Sequence, residues 1–117
     1  MSSQCKQNQA VPVKRKRIYI AGPMTGRPNY NRKAFITAAV HIATKTNLIP
    51  VHTAWVRDGL AWSEYMELAQ DMLSLCDMVC VLPGHMESKG AQIEVKLARD
   101  AGMPVIELDK VVEEFGR

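Results

Sequence analysis

Short apolar runs alternate along the chain with longer segments in which apolar residues recur at helical spacing. A β-rich run ending in Gly comes first, and each later run is again followed by an amphipathic segment. In the first of these segments Phe35, Ala38, Ala39 and Ile42 follow the i, i+3, i+4, i+7 pattern. The predicted strands cover 17–22, 48–51, 78–83 and 103–108, and the predicted helices cover 31–45, 62–76, 88–101 and 109–116.

This strand–helix alternation predicts an α/β fold. We expect a three-layer α/β/α sandwich with a parallel, flavodoxin-like or Rossmann-like sheet of four to five strands. The continuous apolar run "MVCVLP" at 78–83 is typical of a central parallel strand covered on both faces. In such sheets ligands bind beyond the carboxyl ends of the strands. The predicted functional edge therefore consists of the loops 22–30, 52–61 and 83–89.

The size and composition favour one ordinary globular domain. Of 117 residues, 47% are apolar and 23% are charged. We expect a disordered polar tail at 1–13 and a single domain at 14–117. The sequence lacks an apolar run of membrane-spanning length and a signal-peptide pattern, so we expect a cytoplasmic protein without a membrane partner.

Charge and cysteine content add little chemistry. The net charge of +3 depends on "KRKR" at 14–17, which could contact a polyanion. A solvated leader before the first strand is favoured, because no aromatic residues interleave with the run, and a nucleic-acid partner is not expected. Cys5, Cys76 and Cys80 form neither a disulfide framework nor a metal-ligand pattern. We expect no metal and no cofactor.

Glu94 is the most informative single residue. Ile93, Leu97 and Ala101 recur at four-residue spacing, and Glu94 and Ala98 lie beside them in the predicted apolar stripe, although polar positions are available on the same helix. A buried carboxylate must be neutralised or paired. Glu94 is therefore either a structural residue, bonded to Tyr19 or to a loop N–H, or a nucleophile or base in a cleft.

Tyr19 and the loop after it form a second candidate cluster. A tyrosine within a buried strand needs a hydrogen-bond partner for its hydroxyl. The Gly-rich turn that follows could bring N–H groups close to a phosphate, or Gly22 and Gly26 could simply permit a tight turn. The turn matches neither GxGxxG nor GxxxxGK[ST], so a dinucleotide or triphosphate cradle is not supported.

The start of the third predicted helix could bind an anion. Ser88 suits the N-cap position, with its hydroxyl accepting from the N–H of Gly90 or Ala91. Gly90 would allow close approach to the N–H groups at this end of the helix. His52 and His85 fall on loops of the functional edge, and either could line a pocket.

Three motifs together resemble the nucleoside 2-deoxyribosyltransferase superfamily, which includes the 2'-deoxynucleoside 5'-monophosphate N-glycosidases. They are "IYIAGPMTG", "CDMVCVLPG" and "SKGAQIEVKLARDAGMPV", and the resemblance spans residues 17–108. Within this superfamily, the chain most resembles a small bacterial and phage branch of mostly unassigned function. The most specific element is Ser-x-Gly-x-x-x-Glu, which opens a helix after an apolar strand.

The resemblance implies roles for individual residues. Glu94 would attack the anomeric carbon of deoxyribose and form a covalent glycosyl-enzyme, and Tyr19 would orient it. Ser88 stands where transferases of free nucleosides carry Asp and monophosphate hydrolases carry Ser, which favours a 5'-monophosphate substrate. The first loop would wrap the sugar and the 5' end through Gly22, Pro23, Met24 and Thr25. The family also implies a homo-oligomer that binds a small nucleoside or nucleotide.

The chain departs from the family pattern at two positions. Ala69 replaces a carboxylate that handles the base. Asp71, a further candidate site residue, lies about 200° around the helix from it. Thr25 replaces an Arg of the phosphate-specific enzymes. Two alternatives to glycosidase or transferase activity therefore stay open. One is a nucleotide-binding or sequestering module without turnover, and the other is a hydrolase of a nicotinamide or cyclic nucleotide signal.

Overall fold

A four-stranded parallel sheet forms the centre of the computed structural model, which describes residues 14–117. The predicted tail at 1–13 lies outside these residues. Four helices alternate with the strands, as predicted. The strands are β1 (Arg17–Ala21), β2 (Ile49–Val51), β3 (Met78–Val81) and β4 (Val105–Glu107), and the helices are α1 (Arg32–Lys45), α2 (Trp62–Leu73), α3 (Lys89–Asp100) and α4 (Leu108–Phe115).

The two faces of the sheet carry separate apolar clusters, because successive strand residues point to opposite sides. Ile18 and Ile20 of β1 pack with α1 and α4 on one face. Tyr19 and Ala21 pack with α2 and α3 on the other face. These clusters confirm the predicted three-layer α/β/α sandwich. They also place the Tyr19 side chain in the layer of α2 and α3.

The strand order positions the functional edge. It runs β2-β1-β3-β4, with every pair parallel. This is the flavodoxin-like order, in which the connections reverse direction between β1 and β3. The carboxyl ends of these two neighbouring strands, at Ala21 and Val81, therefore mark the crevice where a ligand is expected.

Element boundaries differ from the predicted ones by a few residues. Helix α2 ends at Leu73, three residues early, since the Cys76 N–H bonds the Leu73 carbonyl in a turn at 2.9 Å. Cys76 and Cys80 are free and buried, as expected from their apolar surroundings. Of the helices in the described part of the chain, none has the length and apolar composition that a bilayer crossing requires.

The buried face of α3 corrects the predicted stripe. Ala91, Glu94, Val95 and Ala98 are buried, whereas Leu97 is 40% exposed. Ile93 is only partly buried, and Ala101, just beyond the helix, is exposed. The helix packs against Tyr19 and the β3 valines with small side chains, which permit close approach to the sheet, and a leucine would hold it further away. The prediction that Glu94 and Ala98 lie on the inner face is confirmed, but the prediction was wrong for Leu97 and Ala101.

The β2 edge of the sheet is short and contains a proline. Ile49 donates its N–H to the Lys16 carbonyl at 2.9 Å, and Pro50 is paired in register with Ile18. Strand N–H groups point alternately to the two sides of a strand. Because the Ile49 N–H points towards β1, the ring nitrogen of Pro50 faces the open edge.

Candidate active site

A hydrogen bond between β1 and α3 forms the centre of the site. The Tyr19 hydroxyl donates to Glu94 Oε2 at 2.7 Å. Tyr19 is 1% exposed and Glu94 is 7% exposed. Glu94 reaches this position because α3 starts directly after the β3–α3 connection and faces the sheet with Ala91, Glu94 and Val95. The buried carboxylate thus has a partner, as its burial requires.

Burial sets the protonation behaviour of both groups. Desolvation raises the pKa of Glu94 from 4.5 to about 7, while the hydrogen bond from Tyr19 acts in the opposite direction. Burial also raises the pKa of Tyr19 well above its ordinary value, and the neighbouring Glu94 adds to this rise. Tyr19 therefore keeps its proton and acts as the donor. Glu94 can exchange a proton near neutral pH.

Tyr19 and Glu94 line a cleft of about 570 Å³ at the carboxyl edge of the sheet. This volume lies in the range of small-molecule sites. Five further residues singled out in the sequence also line it, namely Gly22, Met24, Thr25, Ser88 and Gly90. Ala69 of α2 is part of the same lining, so the cleft presents a methyl group at that position.

Ser88 caps the helix that carries Glu94. Its Oγ accepts a hydrogen bond from the Ala91 N–H at 3.2 Å, one of the two donors predicted. Ser88, Lys89 and Gly90 all line the cleft, so the first turn of α3, whose N–H groups lack partners within the helix, lies at the cleft. An anion at this end of the 12-residue helix would be stabilised by these donors and by the helix dipole.

The start of α2 contributes aromatic side chains that the sequence reasoning did not select. Trp62 and Tyr65 line the cleft, and Trp62 is 45% exposed. The Lys89 ammonium lies 5.4 Å from the centre of the Trp62 ring, within cation–π distance. A flat ligand could therefore stack here. Alternation of aromatic and polar residues in "LAWSEY" was the only sequence signal for this wall.

The loop from β2 to α2, residues 52–61, forms another part of the cleft lining. Thr53, Val56 and Asp58 belong to it. Arg32, at the first position of α1, bonds to this loop through several nitrogens and forms an ion pair with Asp58 at 2.7 Å. Nothing in the sequence marks Arg32, because three of its four acceptors are more than 20 positions away.

The segment before α1 adopts an uncommon backbone. Asn29, Tyr30 and Asn31 have φ values of 48°, 54° and 61°. Left-handed backbone costs about 1–2 kcal/mol for most L-residues and less for Asn. Tyr30 carries most of that strain, and its side chain lines the cleft. Asn31 Nδ2 donates to the Pro23 carbonyl at 2.9 Å and helps to hold the turn.

Four other predicted site residues do not line the cleft. Pro23 is buried beneath it and contributes only its carbonyl to the Asn31 bond. His52 accepts from the Ala54 N–H through Nδ1 at 3.1 Å, and burial lowers its pKa. His85 Nδ1 bonds to the Leu82 carbonyl at 3.0 Å. Both imidazoles serve local turns, and Asp71 is exposed on α2 away from the cleft.

Close packing explains why glycine occupies two positions at the cleft. A Cβ at Gly22 would lie 3.0 Å from the Leu82 side chain, and one at Gly90 would lie 3.2 Å from Met66 Sδ. Packing alone therefore favours a small residue at both positions, whether or not a ligand binds. Within residues 14–117, no group of three or more His, Cys, Asp or Glu side chains could hold a metal ion.

Comparison with known proteins supports the fold and assigns a family. The structure is similar to the 2-desoxiribosyltransferase from Leishmania mexicana, with a TM-score of 0.63 and 19% sequence identity over 79% of this chain. The match spans 63% of that protein, and at this identity it shows the fold alone. No curated protein matches the chain. Residues 16–107 match a family model, and the chain therefore belongs to the family described as Domain of unknown function (DUF4406).

Proposed function

We propose that this protein cleaves the N-glycosidic bond of a 2'-deoxynucleoside 5'-monophosphate, with Glu94 as the nucleophile. The observation that carries the proposal is the buried Glu94 carboxylate, held by Tyr19 in the wall of a cleft of about 570 Å³. Tyr19 occupies Oε2, and no described residue makes a hydrogen bond to Oε1. This leaves one carboxylate oxygen available for attack on a sugar carbon.

The reaction has two steps. Glu94 bonds to C1' as the bond from C1' to the base nitrogen breaks, through an oxocarbenium-like transition state. The base leaves with the electron pair of that bond and takes a proton from solvent. Water then attacks C1' and loses a proton to solvent as the bond from C1' to Glu94 breaks, which yields deoxyribose 5-phosphate. Attack by a second base instead of water would yield a new nucleotide. Tyr19 holds the carboxylate in one orientation throughout.

Two features of the cleft support a 5'-monophosphate. Ser88 is a neutral cap at the start of α3, so the helix N-terminus meets a phosphate without like-charge repulsion. The adjacent Lys89 ammonium also lines the cleft. Trp62 and Tyr65 offer faces for a base. The 2'-deoxy sugar is supported by the sequence resemblance and by the name of the similar Leishmania mexicana protein.

A screen for released base tests the proposal. Common nucleosides, 2'-deoxynucleosides and their 5'-monophosphates are incubated with wild type, Glu94→Gln and Glu67→Gln, and free base is measured by chromatography. Glu67→Gln makes the same change on an exposed part of α2 and serves as the matched control. We expect wild type and the control to release base. Glu94→Gln should lose activity by several orders of magnitude, as nucleophile loss commonly does.

The result against the proposal is equally clear. Turnover by Glu94→Gln near the wild-type rate would remove Glu94 from the chemistry. A screen that includes nicotinamide and cyclic nucleotides also detects the alternative hydrolase activity.

A second function, nucleotide binding without turnover, is favoured by one observation. Ala69 lines the cleft and is 3% exposed, so that position offers the base no acid group. If neither wild type nor Glu94→Gln releases base, titration calorimetry with the same compounds identifies a binding module. Saturable binding without turnover would support this second function over the first.

A further inference from the structure

We infer that Arg32 is a positioning residue, which fixes the β2–α2 loop as a wall of the cleft and so controls how tightly a ligand is held. The structural part of this inference is independent of the reaction. Its kinetic consequence rests on the proposed function.

The Arg32 guanidinium joins four acceptors. Nε donates to the Ala54 carbonyl at 3.0 Å, and Nη2 donates to the Val56 carbonyl at 3.0 Å and to Asp58 Oδ1 at 2.7 Å. Nη1 donates to Asn29 Oδ1 at 3.0 Å. The side chain is only 18% exposed. One fork of nitrogens therefore connects the β2–α2 loop to the turn that precedes α1.

The loop needs such a connection because of its length. Residues 52–61 separate β2 from α2, and most strand-to-helix loops in α/β folds are only about 2–6 residues long. Within the loop, the Val56 N–H bonds the Thr53 carbonyl at 3.0 Å. The Tyr65 hydroxyl of α2 donates a hydrogen bond to the Arg57 carbonyl in the middle of the loop. Arg32 supplies the bonds that attach residues 54–58 to the first helix.

The strained turn before α1 is part of the same arrangement. Its left-handed residues place Asn29 Oδ1 next to Arg32 Nη1, and the Arg32 Cζ lies 5.3 Å from the centre of the Tyr30 ring. Backbone strain persists only where surrounding contacts hold it. Arg32 thus links two strained or irregular segments, and both contribute side chains to the cleft.

The geometry requires arginine. A lysine ammonium could satisfy part of this set, but its single nitrogen cannot span acceptors that approach from different sides in one plane. Replacing Arg32 by Lys leaves loop carbonyls without a donor, so the β2–α2 loop becomes more mobile. Residues 54–58, which Arg32 holds, make no hydrogen bond to Tyr19 or Glu94 among the described residues, so we expect ligand affinity to change more than the chemical step.

Hydrogen exchange measured by mass spectrometry tests this directly. The peptide covering residues 52–61 is compared in wild type, Arg32→Lys and Arg99→Lys. Arg99 is exposed on α3 and does not line the cleft, so it carries the same substitution at a neutral site. We expect exchange in this peptide to become about tenfold faster in Arg32→Lys, corresponding to roughly 1.4 kcal/mol, and to stay unchanged in Arg99→Lys. Unchanged exchange in Arg32→Lys overturns the inference.

A milder variant and a kinetic readout complete the test. Asp58→Asn keeps Arg32 and its carbonyl bonds but removes the ion pair, so it should give a smaller increase in exchange. With a substrate from the screen, Arg32→Lys should raise KM about tenfold, with kcat nearly unchanged. A raised KM with unchanged exchange would mean that Arg32 contacts the ligand itself, and would contradict a positioning role. If the wild type releases no base, the exchange experiment still decides, so the two proposals fail separately.

Discussion

The Tyr19 hydroxyl donates a 2.7 Å hydrogen bond to Glu94 Oε2, although the two residues lie 75 positions apart. One comes from the first strand and the other from the helix after the third strand. The pair exists because β1 and β3 are neighbours and α3 packs on the face that Tyr19 occupies. Both the structural and the catalytic interpretation of Glu94 are compatible with this bond.

The variant Tyr19→Phe separates these interpretations. The hydrogen bond from Tyr19 lowers the pKa of Glu94, so its loss should raise that pKa further above 7. Since an ionised nucleophile is needed, kcat/KM of the wild type should rise through about pH 7, and the profile of the variant should move to higher pH. The pH dependence of base release measures this. A large fall in melting temperature with an unmoved profile would mark Tyr19 as a structural residue.

The raised pKa of Glu94 also predicts how stability depends on pH. Below pH 4.5 the Glu94 carboxyl is protonated in both the folded and the unfolded state, so its ionisation does not affect the free energy of unfolding. Between pH 4.5 and about 7 the unfolded chain releases this proton and the folded protein keeps it, so stability falls as pH rises. At about 1.4 kcal/mol per tenfold change in proton affinity, the loss is about 3 kcal/mol.

Urea unfolding of wild type and Glu94→Gln measures this contribution. The difference in the free energy of unfolding between the two proteins should change in favour of the variant as pH increases from 4.5 to 7, and should then level off. Gln cannot ionise, and its amide oxygen can still accept the Tyr19 hydrogen bond. A difference that stays constant across this range would show that Glu94 has an ordinary pKa.

Replacing Ser88 by Asp tests whether a 5'-phosphate of the ligand binds at the start of α3. Asp also caps helices, so the free energy of unfolding should change by less than about 1 kcal/mol. At about 4 Å and an effective dielectric near 20, the new charge would repel each phosphate charge by at most about 4 kcal/mol. Salt reduces this, but about 1.4 kcal/mol suffices for a tenfold effect. We expect the binding of 5'-monophosphates to weaken at least about tenfold relative to the binding of free 2'-deoxynucleosides.

The matched control is Ser88→Asn, which caps the helix with a neutral side chain of nearly the same size as Asp. Competition titrations with a monophosphate and its nucleoside give the ratio of affinities in all three proteins. The affinity for the monophosphate relative to that for the nucleoside should fall in Ser88→Asp alone. An equal ratio in the Asp and Asn variants would place the phosphate elsewhere or exclude it from the ligand.

The two buried thiols should be chemically inert in the folded protein. Burial raises the pKa of Cys76 to about 11 and that of Cys80 to about 12. Only thiolates react readily with alkylating agents. In a Cys5→Ser protein, iodoacetamide should therefore add no mass at neutral pH until urea unfolds the chain, after which two additions should appear by mass spectrometry. Rapid labelling of the native protein would contradict the described burial.

The sequence predicted those features that depend on local pattern. Strand and helix order, the inward position of Glu94 and the Ser88 cap follow from periodicity and capping chemistry. The packing face of α3 followed only in part, because hydrophobicity favoured Leu97, whereas the buried face contains Ala91 and Val95 beside Glu94 and Ala98. Arg32 was missed for a different reason. Two of its four acceptors are backbone carbonyls of a distant loop, and backbone carbonyls leave no mark in a sequence.

Pro50 limits how copies of this protein can associate. At the open edge of β2, where another strand would seek a donor, the proline nitrogen carries no hydrogen. A strand added there would lose a hydrogen bond, which disfavours sheet extension and fibrous aggregation from this side. The surfaces that remain more open to association are the edge at β4 and the helix faces that expose Leu68 of α2 and Leu97 of α3.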